Sequence, residues 1–349
     1  MTVALSALVR TEGRAALPQR VRVVATLAVV VLLHLGGFAF LLLAGPALAP
    51  LFAVAVIAYG RGLIHALDFD HVSMIDNSIR KFVAEGRRPV SVGLAFSAGH
   101  STVVLITSAL VIAGFAAVTA ALEPDSPVAA VLGVIGLSVS GAYLLLCALA
   151  NLPRLVEGVR AYRRFPELTE AERESALRPG GGLMSRAMGA PLRWVRHPRH
   201  VYLLGFAFSL GFDTSSQIGL LVIVAGATVS GAPPLALMAL PLLFTAAITL
   251  VDTLNGMFML RLYGTTAVPE RRMLGWNIAI TTIGVVAALV VAGLALAELS
   301  ATFGWTALSD ATAWIDTEWA GFGLVAVFLA IGVVVLVGLR SRSRRLARS

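Results

Sequence analysis

A single cysteine in 349 residues, Cys147, excludes an internal disulfide framework and a thiolate metal centre within one chain. It lies in the apolar run SGAYLLLCALA and is expected to face lipid or to be packed. Lys81 is the sole lysine, with no glycine-rich loop before it, so no Walker A phosphate cradle is present. The hydrolytic patterns HExxH and GxSxG are missing as well. Charge is scarce: 13% of residues are charged, about half of what a soluble domain carries. In its place stand 58% hydrophobic residues and a mean hydropathy of +0.88. This is the composition of a polytopic membrane protein.

Apolar stretches of about 20 residues, long enough to span a bilayer, occur near 22–44, 49–68, 90–115, 127–150, 201–228, 233–259, 274–297 and 319–339. The expected fold is therefore all-α, with about eight transmembrane helices in one domain covering 1–349. The first stretch is too long for a signal-peptide core and is read as a span. Charge placement tests the count. Of the 27 basic residues, 26 fall on one side of this topology: at the N-terminus, after the second span, in the segment 151–200, after the sixth span and in the C-terminal tail. The opposite loops hold Glu123, Asp125, Glu298, Asp310, Asp316 and Glu318, with no lysine or arginine. By the positive-inside rule both termini are cytoplasmic, in a multi-pass protein of the cytoplasmic membrane. The net charge of +8 then points to lipid headgroups and membrane orientation rather than to nucleic acid. The exception is Arg61, within the second span, expected to snorkel or to pair with a carboxylate. The segment 151–200 reads as a cytoplasmic loop, with a short amphipathic helix capped at Thr169 (T-E-A-E).

Polar residues inside these spans carry the chemistry. The second span runs into GRGLIHALDFDHVSMIDNSIRK, bringing His65, Asp68, Asp70, His71, Asp76 and Asn77 into or near the bilayer. Each ionised aspartate at a helix centre costs roughly 2.5–3.5 kcal/mol to insert, so such a cluster needs a purpose. Imidazole and carboxylate together suit borderline divalent metals. At about 100° per residue, one helical face can carry His65, Asp68, His71 and Asp76. Asp70 then needs a separate partner or a local unwinding. An internal ion pair that fixes helix packing is the plainer reading of these groups. The third span contributes His100 in FSAGHSTVV, the fifth Asp213 and Thr214 in SLGFDTSSQIG, and the sixth Asp252, Thr253 and Asn255 in LFTAAITLVDTLNGMFM. Alone, each could be a packing hydrogen-bonder; together they are expected to converge on one water-lined cavity. His34 is a weaker candidate, and His197 and His200 sit in a basic stretch where solvated side chains are expected.

These segments resemble the nickel/cobalt transporter (NiCoT) family of bacterial and fungal permeases, of the high-affinity nickel permease type. Its second-helix signature, HAxDxDHIxxIDNxxRK, stands here as HALDFDHVSMIDNSIRK. Its GHSTVV is Gly99 to Val104, its LGFDT is Leu210 to Thr214, and its LFxxxxxLxDTxxG runs from Leu243 to Gly256. The chain departs from the family pattern at Ile64 (usually arginine), Gln217 (usually glutamate), Ala247-Ile248 (usually Gly-Met) and Asn255 (usually aspartate). The resemblance implies a secondary importer of Ni²⁺ or Co²⁺, carried as cargo with no resident cofactor and no ATPase subunit. It implies His65, Asp68 and His71 as direct ligands, with His100 next. Asp70, Asp76 and Asn77 would orient ligands or gate the path. Asp213 and Asp252 would orient imidazoles or neutralise the passing ion, with Thr214, Thr253 and Asn255 beside them. Two other readings stay open: a carrier or exporter of another divalent ion, and a membrane-embedded metal-dependent hydrolase.

Overall fold

The computed structural model describes residues 17–114, 126–170, 172–173, 194–210, 215–228, 231–263, 270–315 and 321–330. Helix α1 (Gln19–Leu42) turns through Gly45, at φ 56°, and a short 3₁₀ segment into α2 (Leu48–His65). Then follow α3 (Phe69–Ala84), α4 (Val92–Ile112), α5 (Pro127–Arg163), α6 (Pro198–Ser209), α7 (Ser215–Thr228), α8 (Pro234–Leu237), α9 (Ala239–Tyr263), α10 (Glu270–Thr302), α11 (Ala307–Thr312) and α12 (Gly321–Ala330). No strand occurs among the described residues. Six described helices are long and apolar enough to cross a membrane: α1, α2, α4, α5, α8 with α9, and α10. Two shorter apolar helices, Gly219–Thr228 and Gly321–Ala330, lie in the fifth and eighth apolar stretches.

The outer and inner helices are equally apolar and differ in how much of their length is buried. α1 and α2 carry exposed apolar side chains along their length, among them Leu32, Leu35, Phe52 and Val56, as an outer hairpin in a bilayer requires. α9 is the axis of the bundle, packed against α1, α2, α3 and α4. Small residues make this possible. A Cβ on Gly93 of α4 would collide with the Asp252 carbonyl of α9, and one on Gly205 of α6 would collide with the Phe96 carbonyl of α4. Such backbone-to-backbone approach is the usual way helices associate without a hydrophobic drive between them. Two apolar clusters result. One joins Phe69, Phe96, Phe208 and residues of α5, α10 and α12; the other joins Ala66, Phe244 and residues of α2, α7 and α9. The polar centre lies between them.

Three expectations about helix extent need correction. The second span does not run through its charged motif: the helix stops at His65 and restarts at Phe69, because Asp68 adopts an extended conformation (φ −56°, ψ 143°) as the residue that begins α3. The segment 151–200 is not loop from its start, since α5 continues to Arg163 with Pro153 inside it. The apolar stretch 201–228 is two helices, α6 and α7, whose connection at 211–214 lies outside the described residues, as do Asp213 and Thr214. The Thr169 backbone N–H and hydroxyl both donate to Glu172, at 2.8 and 2.7 Å, and these bonds hold the Glu172 carboxyl below its ordinary range. Cys147 is free, buried and packed in the first apolar cluster.

Candidate metal site

Aspartate is a favoured residue at a helix start, where its side chain normally accepts a backbone N–H. Asp68 makes no such bond. Its Oδ2 instead accepts from His65 Nδ1 at 2.8 Å. Capping falls to Asp70, whose Oδ1 accepts from the His71 backbone N–H at 2.7 Å. That placement, in the first turn of α3, suits a carboxylate beside a helix N-terminus. The local sequence D-F-D-H thus breaks the helix and divides the labour between its two aspartates.

The break lets α2 and α3 present two imidazoles to one point. His65 and His71 have ring centroids 4.6 Å apart, and His100 of α4 lies 5.0 Å from the first and 4.7 Å from the second. One nitrogen from each of the three falls within 4.8 Å of the others, and all three residues are fully buried. From the far side, Asp252 of α9 accepts from His71 Nδ1 at 3.2 Å. With both Nδ1 atoms committed to carboxylates, the Nε2 atoms of His65 and His71 are left to carry lone pairs inward. A carboxylate fixing the tautomer and orientation of a metal-binding imidazole is the common arrangement in metalloproteins. His65 Nε2 and His100 Nε2 are 3.0 Å apart. Imidazole–metal bonds of about 2.0–2.1 Å put neighbouring ligands at right angles about 3 Å apart, so this pair already has the spacing of adjacent corners of a square or octahedron. His71 Nε2, Asp68 Oδ1 and Asp252 Oδ1 are buried without a hydrogen-bond partner among the described residues. This donor set, all nitrogen and oxygen, can hold a borderline divalent cation.

Three phenylalanines wall the imidazoles. Phe96 meets His71 edge-on at 4.9 Å, Phe208 lies 6.1 Å from both His71 and His100, and Phe244 stacks on His65 at 5.8 Å. Spacing could have revealed one of them: Phe96 is four residues before His100 and shares its helical face. Phe208 and Phe244 sit beside motifs whose polar residues draw the eye first.

Not every candidate reaches this chamber. Asp76 does not join His65, Asp68 and His71: five residues beyond His71 on α3 it stands about 140° round the helix from it, and the break frees α3 from the register of α2. It accepts from Arg80 Nη2 at 3.1 Å and from the Tyr263 hydroxyl. Arg80 also donates to Tyr263, the Ile280 carbonyl and Thr281, at 2.7, 2.9 and 3.0 Å, tying α3 to α9 and α10. That cluster is the buried ion pair, and the signal for it was the i, i+4 spacing of Asp76 and Arg80. Asn77 is buried, donating to the Ser73 carbonyl at 2.9 Å. Thr253 is buried beside Asp252, and Asn255 is half-buried. Arg61 has its guanidinium against Gly219 of α7. His34 bonds the Val30 carbonyl and Tyr59 between α1 and α2, away from the trio. His197 takes a bond from Arg87, and His200 from the Arg196 N–H. Partial burial and then the neighbouring arginines push both imidazoles below their ordinary pKa.

A helical bundle with three imidazoles and paired carboxylates buried at its centre has the donor set to hold a divalent cation inside the bilayer. Comparison with known proteins narrows that reading. Residues 51–338 match the NicO family, described as high-affinity nickel-transport protein. The chain is 37% identical over 322 residues to the nickel transporter NicT of Mycobacterium tuberculosis, covering 89% of this chain and 86% of that one. It is 36% identical over 313 residues to the nickel transporter NixA of Staphylococcus aureus, covering 87% and 90%. It is also 35% identical over 325 residues to the cobalt transport protein NhlF of Rhodococcus rhodochrous, covering 89% and 90%. No solved structure matches. The chain belongs to the NicO high-affinity nickel-transport family.

Proposed function

We propose that this chain is a secondary transporter that carries Ni²⁺, Co²⁺ or both into the cytoplasm. The observation that carries the reading is the meeting of His65, His71 and His100 within 4.8 Å, with aspartates from two different segments on their outer nitrogens. In this reading the three imidazoles and Asp68 bind the cation. Asp252 and Asp70 supply negative charge and hold the His71 segment, and Asn77, Thr253 and Asn255 line the onward path. Asp213 and Thr214, from LGFDT, belong to the same path by their motif. The relatives named for nickel and for cobalt support both ions as cargo.

The chain is read as one transport domain of eight spans in the cytoplasmic membrane, both termini and the segment 151–200 inside. It is a carrier and not an enzyme, needing no resident cofactor, ATPase subunit or nucleic acid. Energy is no obstacle. A divalent ion gains about 2 × 2.3 ≈ 4.6 kcal/mol per 100 mV, inside negative, enough for roughly three decades of accumulation. The test is uptake of labelled Ni²⁺ and Co²⁺ by cells that lack their own importers, comparing the intact chain with His71→Ala. Metal accumulation that depends on His71 supports import. Equal accumulation by both proteins, or lower metal content with the intact chain than with the variant, contradicts it.

A further inference from the structure

The described part of α12 opens on Gly321, which none of the motifs contains. A Cβ there would run into the Leu67 carbonyl oxygen, and would lie 2.7 Å from the Phe69 nitrogen and 2.9 Å from the Asp68 carbonyl carbon. All three are main-chain atoms, which cannot swing aside as a side-chain tip can. Two belong to the break between α2 and α3, and the third opens α3. The break has a cost that explains this contact. In a continuous helix the Leu67 carbonyl would accept from the His71 N–H, but that N–H is taken by the Asp70 carboxylate. A freed carbonyl inside a membrane protein needs protein cover, and a glycine lets a second backbone close over it. The rest of α12 is anchored through Leu324 and Phe328, buried in the same cluster as Phe69. Gly323, two residues on, faces open space.

We infer that Gly321 is a positioning residue for cation binding: seated on the Leu67–Phe69 backbone, it holds Asp68 where its carboxylate orients His65. The inference rests on the chamber being the transport site. Its test is the concentration dependence of labelled Ni²⁺ uptake, normalised to protein in the membrane, for the intact chain, Gly321→Ala, Gly323→Ala, Phe328→Leu and Asp68→Ala. Gly321→Ala is expected to raise KM about tenfold or more, the loss typical of disturbed ligand orientation, with Vmax within about twofold. Gly323→Ala should change neither. A Gly321→Ala KM within about twofold of the intact chain overturns the inference, as does an equal rise in Gly323→Ala, because a generally disturbed helix would then suffice. Should Gly321→Ala not accumulate in the membrane, Phe328→Leu decides: a KM raised about threefold or more supports the seat, and an unchanged KM overturns it. Normal transport by Asp68→Ala would remove the chamber reading and the inference with it. Loss of transport by Asp68→Ala beside a normal Gly321→Ala would leave the chamber standing and remove only the role of Gly321.

Discussion

His65 and His71 each commit one ring nitrogen to an aspartate, and the two aspartates come from different parts of the chain. The cost of exposing such groups to lipid makes the cluster legible in the sequence, since His65, Asp68, His71, His100 and Asp252 stand out against apolar surroundings. What spacing could not supply is which carboxylate serves which imidazole. Asp252 reaches His71 from 181 residues away, and Asp76 turns to Arg80. Removing an orienting carboxylate typically costs 10- to 100-fold in metal affinity. Asp252→Ala should therefore raise the KM for Ni²⁺ by about that factor while protein level holds; an unchanged KM would show that Asp252 does not act on the cation. Arg80→Ala should behave differently. It leaves Asp76 as an uncompensated buried charge, a loss of about 3–5 kcal/mol that should lower Tm and membrane abundance before it alters metal affinity. A thermal-shift measurement in detergent separates the two.

Helices were legible wherever apolar length decided them: each of the eight apolar stretches contains at least one described helix. The break at 66–68 was legible only as one alternative, the local unwinding offered to accommodate Asp70, because the sequence HALDFDHV has no proline or glycine to announce it. It arises from competition between Asp68, drawn to His65, and Asp70, which takes the His71 N–H. The extension of α5 to Arg163 was hidden, since its residues past 150 are too polar to read as a span. Close helix approach is the element-scale feature with the sharpest consequence. Gly93→Ala would press a methyl into the Asp252 backbone, and overpacking of this kind costs about 1–3 kcal/mol. Gly60→Ala, in the interior of α2 with open space around it, should instead be neutral or stabilise by up to about 1 kcal/mol. Thermal unfolding of the two variants should shift Tm in opposite directions or move Gly93→Ala alone. Equal shifts would mean that the α4–α9 contact is looser than described.

At the scale of the molecule, the bundle places a hydrophilic centre between two apolar clusters, walled by Phe96, Phe208 and Phe244. No long-range pairing of this kind can be read from hydropathy, which reports where spans lie but not which faces meet. A carrier driven by membrane potential should lose accumulated Ni²⁺ about tenfold for each ~30 mV removed. Clamping proteoliposomes at several potentials with an ionophore would show that slope, and accumulation indifferent to potential would require another coupling ion. The most direct measurement is X-ray absorption of the purified chain loaded with one equivalent of Ni²⁺. Imidazole scattering from about three ligands at about 2.0–2.1 Å, reduced by one in His71→Ala and again in His100→Ala, is the result expected of a cation held at this centre. An oxygen-only shell, or an imidazole signal that neither substitution alters, would place the metal elsewhere and contradict the account.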